Sequence, residues 1–92
     1  MRRITEKDLQ AVCDRLNRLT GHALAPYTKV GDKFIPNGGT YLLDGAYGGF
    51  ALHQMGSEGT GERDIFRSGH VPKKDLYELI HAYISGIETA KG

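Results

Sequence analysis

The chain has 92 residues, of which 39% are hydrophobic and 25% are charged, with thirteen glycines and a net charge of +1. This composition excludes an intrinsically disordered chain, and the near-neutral charge argues against the basic surface typical of nucleic-acid-binding proteins. The length suits a single domain over residues 1–92. Because a core of this size gives only marginal stability, a homo-oligomer that adds stability is also consistent with the length.

Cys13 is the single cysteine, which excludes an internal disulfide and a metal site built from several cysteines. No apolar run approaches the roughly 18 residues of a membrane span, and no signal-peptide pattern is present. We therefore expect a cytoplasmic protein with no membrane partner.

A first helix is predicted to begin after Thr5, because Asp8 three residues later completes a capping box. Apolar residues then recur at helical spacing as far as Leu19, and Gly21 is expected to end the helix. Cys13 falls in this apolar stripe and is predicted to be a buried core residue, not a nucleophile.

Two short strands are predicted over residues 27–30 and 33–35, with Gly31 and Asp32 as the turn between them. Pro26 and Pro36 flank them, and since proline cannot donate to a sheet, we expect these strands at a sheet edge.

A central hairpin is predicted from residues 40–43 and 50–55, on either side of a glycine-rich tip. Two forms of the tip are consistent with the pattern. One is a two-residue turn at Asp44 and Gly45. The other, which we favour, is a wider loop over residues 44–49 that pairs Phe50 and Leu52 with Tyr41 and Leu43.

The last third of the chain predicts a glycine-rich loop over residues 56–62, a strand over residues 63–67 and a final helix that starts near Pro72. Gly86 within this helix suggests the close approach of another backbone. The apolar residues of the helix keep strict helical spacing; they are Leu76, Leu79, Ile80, Tyr83, Ile84 and Ile87. The elements together predict an α+β fold in two layers: an N-terminal helix, an antiparallel meander of three to five strands, and a C-terminal helix, with one sheet face left open.

Catalytic patterns are missing from the sequence. No Gly-x-Ser-x-Gly elbow surrounds a serine, and the four histidines lack the spacing of metal ligands. We expect no enzyme activity, no metal and no cofactor.

A basic and aromatic group of residues is the best candidate binding surface. Tyr47 lies on the glycine-rich tip, where an exposed ring can stack on a base or enter a protein partner. Arg63 and Arg67 are expected to share one face of a strand, and cations follow at the start of the last helix. The full candidate set is Tyr47, His53, Arg63, Arg67, His70, Lys73 and Lys74. In the alternative interpretation, neighbouring carboxylates neutralise the basic groups and Tyr47 folds back onto the sheet.

Two blocks carry a resemblance to a known group of proteins. They are Asp-Gly-Ala-Tyr-Gly-Gly-x-x-Leu-His-x-Met at residues 44–55 and Gly-His-x-Pro-Lys-Lys-Asp-Leu-Tyr at residues 69–77, followed by Ile-Ser-Gly at residues 84–86. This pattern resembles small uncharacterised proteins encoded in tailed-phage and prophage genomes. The resemblance implies a phage accessory protein in the bacterial cytoplasm, and it brings no site residues of its own.

Three functions remain open. The first is a binding protein that inhibits or sequesters a host component, such as a defence protein or a small nucleotide signal. The second, less favoured, is nucleic-acid binding, because a helix, three strands and a helix is the element order of double-stranded RNA-binding domains. The third is a homo-oligomeric structural role through the open sheet face.

Overall fold

The computed structural model describes residues 3–56 and 61–91. Its elements are, in chain order, α1 (Glu6–Thr20), β1 (Tyr27–Val30), β2 (Lys33–Pro36), β3 (Tyr41–Ala46), β4 (Gly49–Met55), β5 (Glu62–Asp64) and α2 (Lys73–Lys91). The predicted α+β class is confirmed, with antiparallel strands between the two helices. Residues 57–60, most of the predicted glycine-rich loop, lie outside the described residues. Among the helices described, none has the length and apolar character needed to cross a membrane.

Both predicted ends of α1 are confirmed. The Thr5 hydroxyl accepts the Asp8 N–H at 3.2 Å, while the Asp8 carboxylate accepts the Thr5 N–H at 2.8 Å. At the other end Gly21 adopts φ 77°, a left-handed conformation, and its N–H turns back to the Arg18 carbonyl. Local capping chemistry therefore defines this helix at both ends.

Helix α2 follows Pro72, whose carbonyl accepts the Leu76 N–H at 3.1 Å. Its buried stripe contains Leu76, Ile80 and Ile84, all at most 1% exposed. Leu79 is 37% exposed, so its predicted place in that stripe is wrong. The expected backbone approach at Gly86 is also wrong, since a Cβ added there would meet nothing within 4 Å.

The two helices pack on one face of the sheet β3-β4-β5 and enclose the hydrophobic core. Leu9 and Leu16 of α1, Tyr41 of β3 and Leu52 of β4 belong to one buried cluster with the apolar stripe of α2. This is the two-layer arrangement predicted. We call the opposite side of β3-β4-β5 the open face, because none of the described helices covers it.

Strands β1 and β2 form a separate two-stranded sheet. The turn at Gly31 and Asp32 and the edge position of both strands are confirmed, but these strands do not join the main sheet. Asn17 supplies the physical reason. Its side-chain amide hydrogen-bonds both the N–H and the carbonyl of Tyr41, and so occupies the place on β3 that an edge strand would take.

The tip of the central hairpin differs from both predicted forms. Strand β3 continues through Ala46, and the turn is Tyr47-Gly48, with φ values of 54° and 77°. Two successive positive φ angles define a type I′ turn, whose twist matches that of the flanking strands. The predicted register, which pairs Phe50 and Leu52 with Tyr41 and Leu43, is wrong by two residues: Leu52 lies opposite Leu43, and Phe50 lies opposite Gly45.

The third strand of the main sheet is interrupted. β5 ends at Asp64, whose carboxylate accepts the N–H groups of Arg67 and Gly69, both at 3.1 Å. These bonds fold the chain into a loop with Arg67 at φ 53°, so the strand predicted over residues 63–67 is wrong beyond Asp64. The chain then returns to β4, where Val71 and Phe50 exchange two backbone hydrogen bonds of 2.9 and 2.8 Å.

Candidate functional site

Tyr47 is the most exposed large hydrophobic side chain among the described residues, at 98%. It occupies the first central position of the type I′ turn with φ 54°. Asparagine, aspartate and glycine are favoured at that position, and a bulky side chain there is strained. The ring buries almost no surface that could offset this strain. The predicted exposure of Tyr47 at the tip is therefore what the structure shows.

His70 lies beside Tyr47 on the open face, with ring centroids 5.7 Å apart in an edge-to-face arrangement. Continuing the register of the Phe50–Val71 bridge places His70 next to Ala51, which in turn lies opposite Asp44. Ala51 is too small to separate its two neighbours, and His70 Nε2 lies 2.6 Å from Asp44 Oδ2 above it. The three residues thus form one row across the three-stranded sheet.

The position of His70 depends on Gly49. A Cβ at Gly49 would lie 2.9 Å from the Val71 carbonyl oxygen and 3.0 Å from the His70 carbonyl carbon. Both atoms are backbone and cannot move aside without breaking the bridge to β4. Glycine at this position is what allows the segment carrying His70 to approach the strand.

A second histidine–carboxylate pair lies alongside the first. His53 Nδ1 is 3.0 Å from Glu62 Oε1, and the His53 and His70 ring centroids are 6.5 Å apart. We call the group formed by Tyr47, His70, Asp44, His53 and Glu62 the Tyr47 cluster. Both imidazoles in it are oriented by a carboxylate, which makes the surface polar and fixed in geometry.

Electrostatics assign the proton between Asp44 and His70. The hydrogen bond from His70 is the largest cause that lowers the pKa of the Asp44 carboxyl; desolvation opposes it, and the charges of His53 and His70, when protonated, add smaller lowering effects. Asp44 is therefore a carboxylate at neutral pH and accepts the bond, so Nε2 of His70 carries the hydrogen. In the neutral imidazole, Nδ1 of His70 is then left to accept a hydrogen bond from outside.

Arg63 is not part of the Tyr47 cluster. It lies opposite Gln54, while His53 lies opposite Asp64, and alternate residues of a strand point to opposite faces. The Arg63 guanidinium donates to Gln54 Oε1 at 2.8 Å on the helix-covered side. The expected sharing of one strand face by Arg63 and Arg67 is wrong, because Arg67 belongs to the loop after β5.

The two lysines lie at the start of α2, as the sequence indicates. Lys73 lines a groove beside the hairpin tip together with Gly48, Gly49 and Phe50, and Lys74 is exposed. The four Arg and Lys side chains of the predicted set therefore do not surround Tyr47 as a group. Within the described residues, the ring that lies beside Tyr47 is that of His70, which is itself bonded to Asp44.

Asp44 and Glu62 were not among the predicted binding residues. One signal in the sequence points to Asp44: on the open face of β4 the residues Gly49 and Ala51 are both small, so side chains on either side can meet above them. Glu62 has no comparable signal, because its contact with His53 depends on the register of β5.

Among the described residues, no group of three or more His, Cys, Asp and Glu side chains is arranged to hold a metal ion. The chain matches no protein-family model, no curated protein and no solved structure.

Proposed function

We propose that the chain is a binding protein, a phage-type accessory factor that inhibits or sequesters a component of the bacterial host, and that the Tyr47 cluster is its recognition surface. One observation carries the proposal. A tyrosine is kept in a strained, left-handed turn position where asparagine or glycine would be more stable, and its ring is almost wholly exposed. Strain without a packing benefit is typical of residues retained for recognition.

The chemistry around Tyr47 favours a protein target over a nucleotide. Asp44 and Glu62 lie next to the two imidazoles, and carboxylates repel the phosphates of a nucleotide signal. A protruding tyrosine beside hydrogen-bonding imidazoles suits a protein surface with an apolar pocket and a polar rim. The Arg63 side chain, which would attract phosphate, bonds to Gln54 on the other side of the sheet.

Tyr47→Asn is the discriminating variant. Asparagine prefers this turn position, so the variant should be as stable as the wild type or more stable, and loss of binding could not be attributed to misfolding. Both proteins would be used as affinity baits in lysate of a bacterial host, with bound proteins and small molecules identified by mass spectrometry. We expect a host protein captured by the wild type and lost with Tyr47→Asn. Equal capture by both baits would contradict the proposal.

A panel of cyclic and ADP-ribose-type nucleotides, tested by titration calorimetry, separates the two target classes. Heat of binding with any of them, removed by Tyr47→Asn, would show that the target is a nucleotide and would overturn the preference for a protein.

The nucleic-acid alternative retains one supporting observation: α1, the sheet β3-β4-β5 and α2 have both helices on one face, with Lys73 and Lys74 at the start of the second helix. Its test is a mobility shift with duplex RNA at low ionic strength. A salt-sensitive shift that Lys73→Glu abolishes would support this function, and no shift would exclude it.

A further inference from the structure

Strands β1 and β2 form an arm with unusual exposure of apolar side chains. All four residues of β1 and three of the four in β2 are exposed. Phe34 is 66% exposed and Val30 56%, and Tyr27 and Ile35 are nearly half exposed. An isolated two-stranded hairpin is at best marginally stable in water, so an arm of this kind gains stability when another surface covers it.

The two outer edges of the arm are not equivalent. The Asn37 N–H donates to the Pro26 carbonyl at 2.8 Å, which makes Pro26 and Asn37 a hydrogen-bonded pair. Since such pairs alternate along an antiparallel ladder, Thr28 bonds inward to Ile35, while the backbone of Tyr27 and Lys29 points outward.

On β2 the outward residues are Phe34 and Pro36. Proline has no N–H, so this outer edge lacks a donor where a further strand would need one. The outer edge of β1 keeps both its donors and both its acceptors, and is the edge that another strand can join.

The geometry points to β1 of a second copy of this chain as that strand, paired antiparallel about a two-fold axis through Thr28. In this register Tyr27 lies opposite Lys29 of the other copy, and these two residues exchange backbone hydrogen bonds. The two-fold axis repeats this hydrogen-bonded pair on the other side of Thr28. The result is a four-stranded sheet in the order β2, β1, β1, β2 and a closed homodimer. This interface is separate from the Tyr47 cluster.

Charge disfavours the neighbouring register in which the two-fold axis passes through Lys29. A two-fold axis through Lys29 would place two lysines directly opposite each other, which is destabilising. With the axis through Thr28, each Lys29 instead meets the ring of Tyr27 from the other copy, a favourable cation–aromatic contact.

The strength of the dimer follows from its area. A pairing of two four-residue strands buries less than the roughly 1,000 Å² of a standard stable interface, so we expect a dissociation constant in the micromolar range. Sedimentation equilibrium of the full chain from about 1 to 500 µM should show the mass rising from 10.1 kDa toward twice that value. A monomer throughout this range would overturn the proposal.

Two matched proline variants test which edge is used. Lys29→Pro removes an outward N–H of β1 and leaves the bonds inside the arm intact, so we expect at least a tenfold weaker dimer. Phe34→Pro makes the same change on the outer edge of β2, which Pro36 already blocks, and should leave the dimer unchanged. Circular dichroism checks that both variants fold. Equal effects of the two substitutions would overturn the assignment of the β1 edge.

The register has its own test. Thr28→Cys places two thiols opposite each other on the axis at a non-hydrogen-bonded position, where Cα atoms lie about 4.5 Å apart, within disulfide range. We expect rapid formation of a disulfide-linked dimer in mild oxidant, while Val30→Cys, off the axis, should cross-link at least tenfold more slowly. Cys13 is buried and does not compete. Faster cross-linking of Val30→Cys would show a different register.

Discussion

The Asn17 side chain of α1 forms two hydrogen bonds with the backbone of Tyr41 in β3, where a neighbouring strand would otherwise bond. Asn17 Oδ1 accepts the Tyr41 N–H at 2.7 Å, and its Nδ2 donates to the Tyr41 carbonyl at 2.9 Å. Asn17 is fully buried, so neither Tyr41 group has water as an alternative partner. This contact fixes α1 against the outer edge of β3.

Asn17→Ala should destabilise the protein by about 2–4 kcal/mol, because it leaves a buried N–H unpaired and a buried carbonyl with only the weak Cys13 thiol bond. Urea denaturation followed by circular dichroism measures the change in free energy of unfolding. The matched control is Gln10→Ala on the same helix; Gln10 is exposed and its side chain donates to Asp14, so this substitution should cost less than about 0.5 kcal/mol. Similar losses for the two variants would contradict the role given to Asn17.

Gly49→Ala should separate His70 from Asp44. The added methyl group would overlap the backbone at His70 and Val71, and the cost of such overpacking is about 1–3 kcal/mol. Proton–nitrogen NMR spectra should show shifts at Phe50, Val71 and the His70 ring. An unchanged His70 ring signal would show that the close approach does not position this residue.

Gly86→Ala should stabilise the protein, in contrast to Gly49→Ala. The site is within α2, has no positive φ and leaves open space for a Cβ, so alanine brings its higher helix propensity without a clash. We expect a gain of about 0.5–1 kcal/mol in the free energy of unfolding. Loss of stability would mean that Gly86 faces a neighbour outside the described residues.

The Asp44–His70 pair should make stability depend on pH in the acid range. The pKa of Asp44 is lowered in the folded state, so between that value and the unfolded value of about 3.9 the unfolded chain binds more protons. The stabilisation is therefore fully present above the unfolded pKa and is lost as pH falls through the folded one. Because the carboxylate is partly exposed, the effect on stability is below about 1 kcal/mol.

Carboxyl-carbon NMR measures the Asp44 pKa directly. His70→Ala removes the largest cause of the shift and should return the pKa close to its ordinary value, whereas His53→Ala should raise it by less. A greater effect of the His53 variant would show that distant charge, and not the hydrogen bond, holds the pKa down.

Cys13 should be inert in the folded protein. Its thiol is fully buried, and burial, with a smaller effect of the Asp14 charge, raises its pKa to about 12. Because the thiolate is the reactive form, labelling with a thiol reagent at pH 8 should be at least about a hundredfold slower in buffer than in denaturant. Stability should fall as pH rises above about 8.5, where only the unfolded thiol ionises. Rapid labelling in buffer would contradict burial of this group.

The sequence predicts those parts of the fold that depend on local chemistry. The two ends of α1 are set by contacts within a few residues, at Thr5 and Asp8 and at Gly21. The turn at Gly31 and Asp32 is equally local. The hairpin turn at Tyr47 and Gly48 could not be predicted from the sequence, because an aromatic residue is disfavoured at the first position of a type I′ turn.

The remaining differences come from side chains that replace backbone partners. The Asp64 carboxylate accepts two backbone N–H groups, and β5 ends there. The Asn17 side chain bonds the outer edge of β3, where a further strand would otherwise pair. No periodicity of apolar residues encodes such contacts. The Asp44–His70 pair likewise depends on a strand register, and on the small size of Ala51 between them, rather than on spacing along the chain.

The interrupted third strand has a mechanical consequence. His70 is tied to β4 through its neighbour Val71 and continues directly into α2, whereas β5 is separated from it by a loop. A force on the His70 ring is therefore transmitted through α2 to the hydrophobic core. Stiffness at the point of contact is thus supplied by a helix whose apolar stripe is buried in the core.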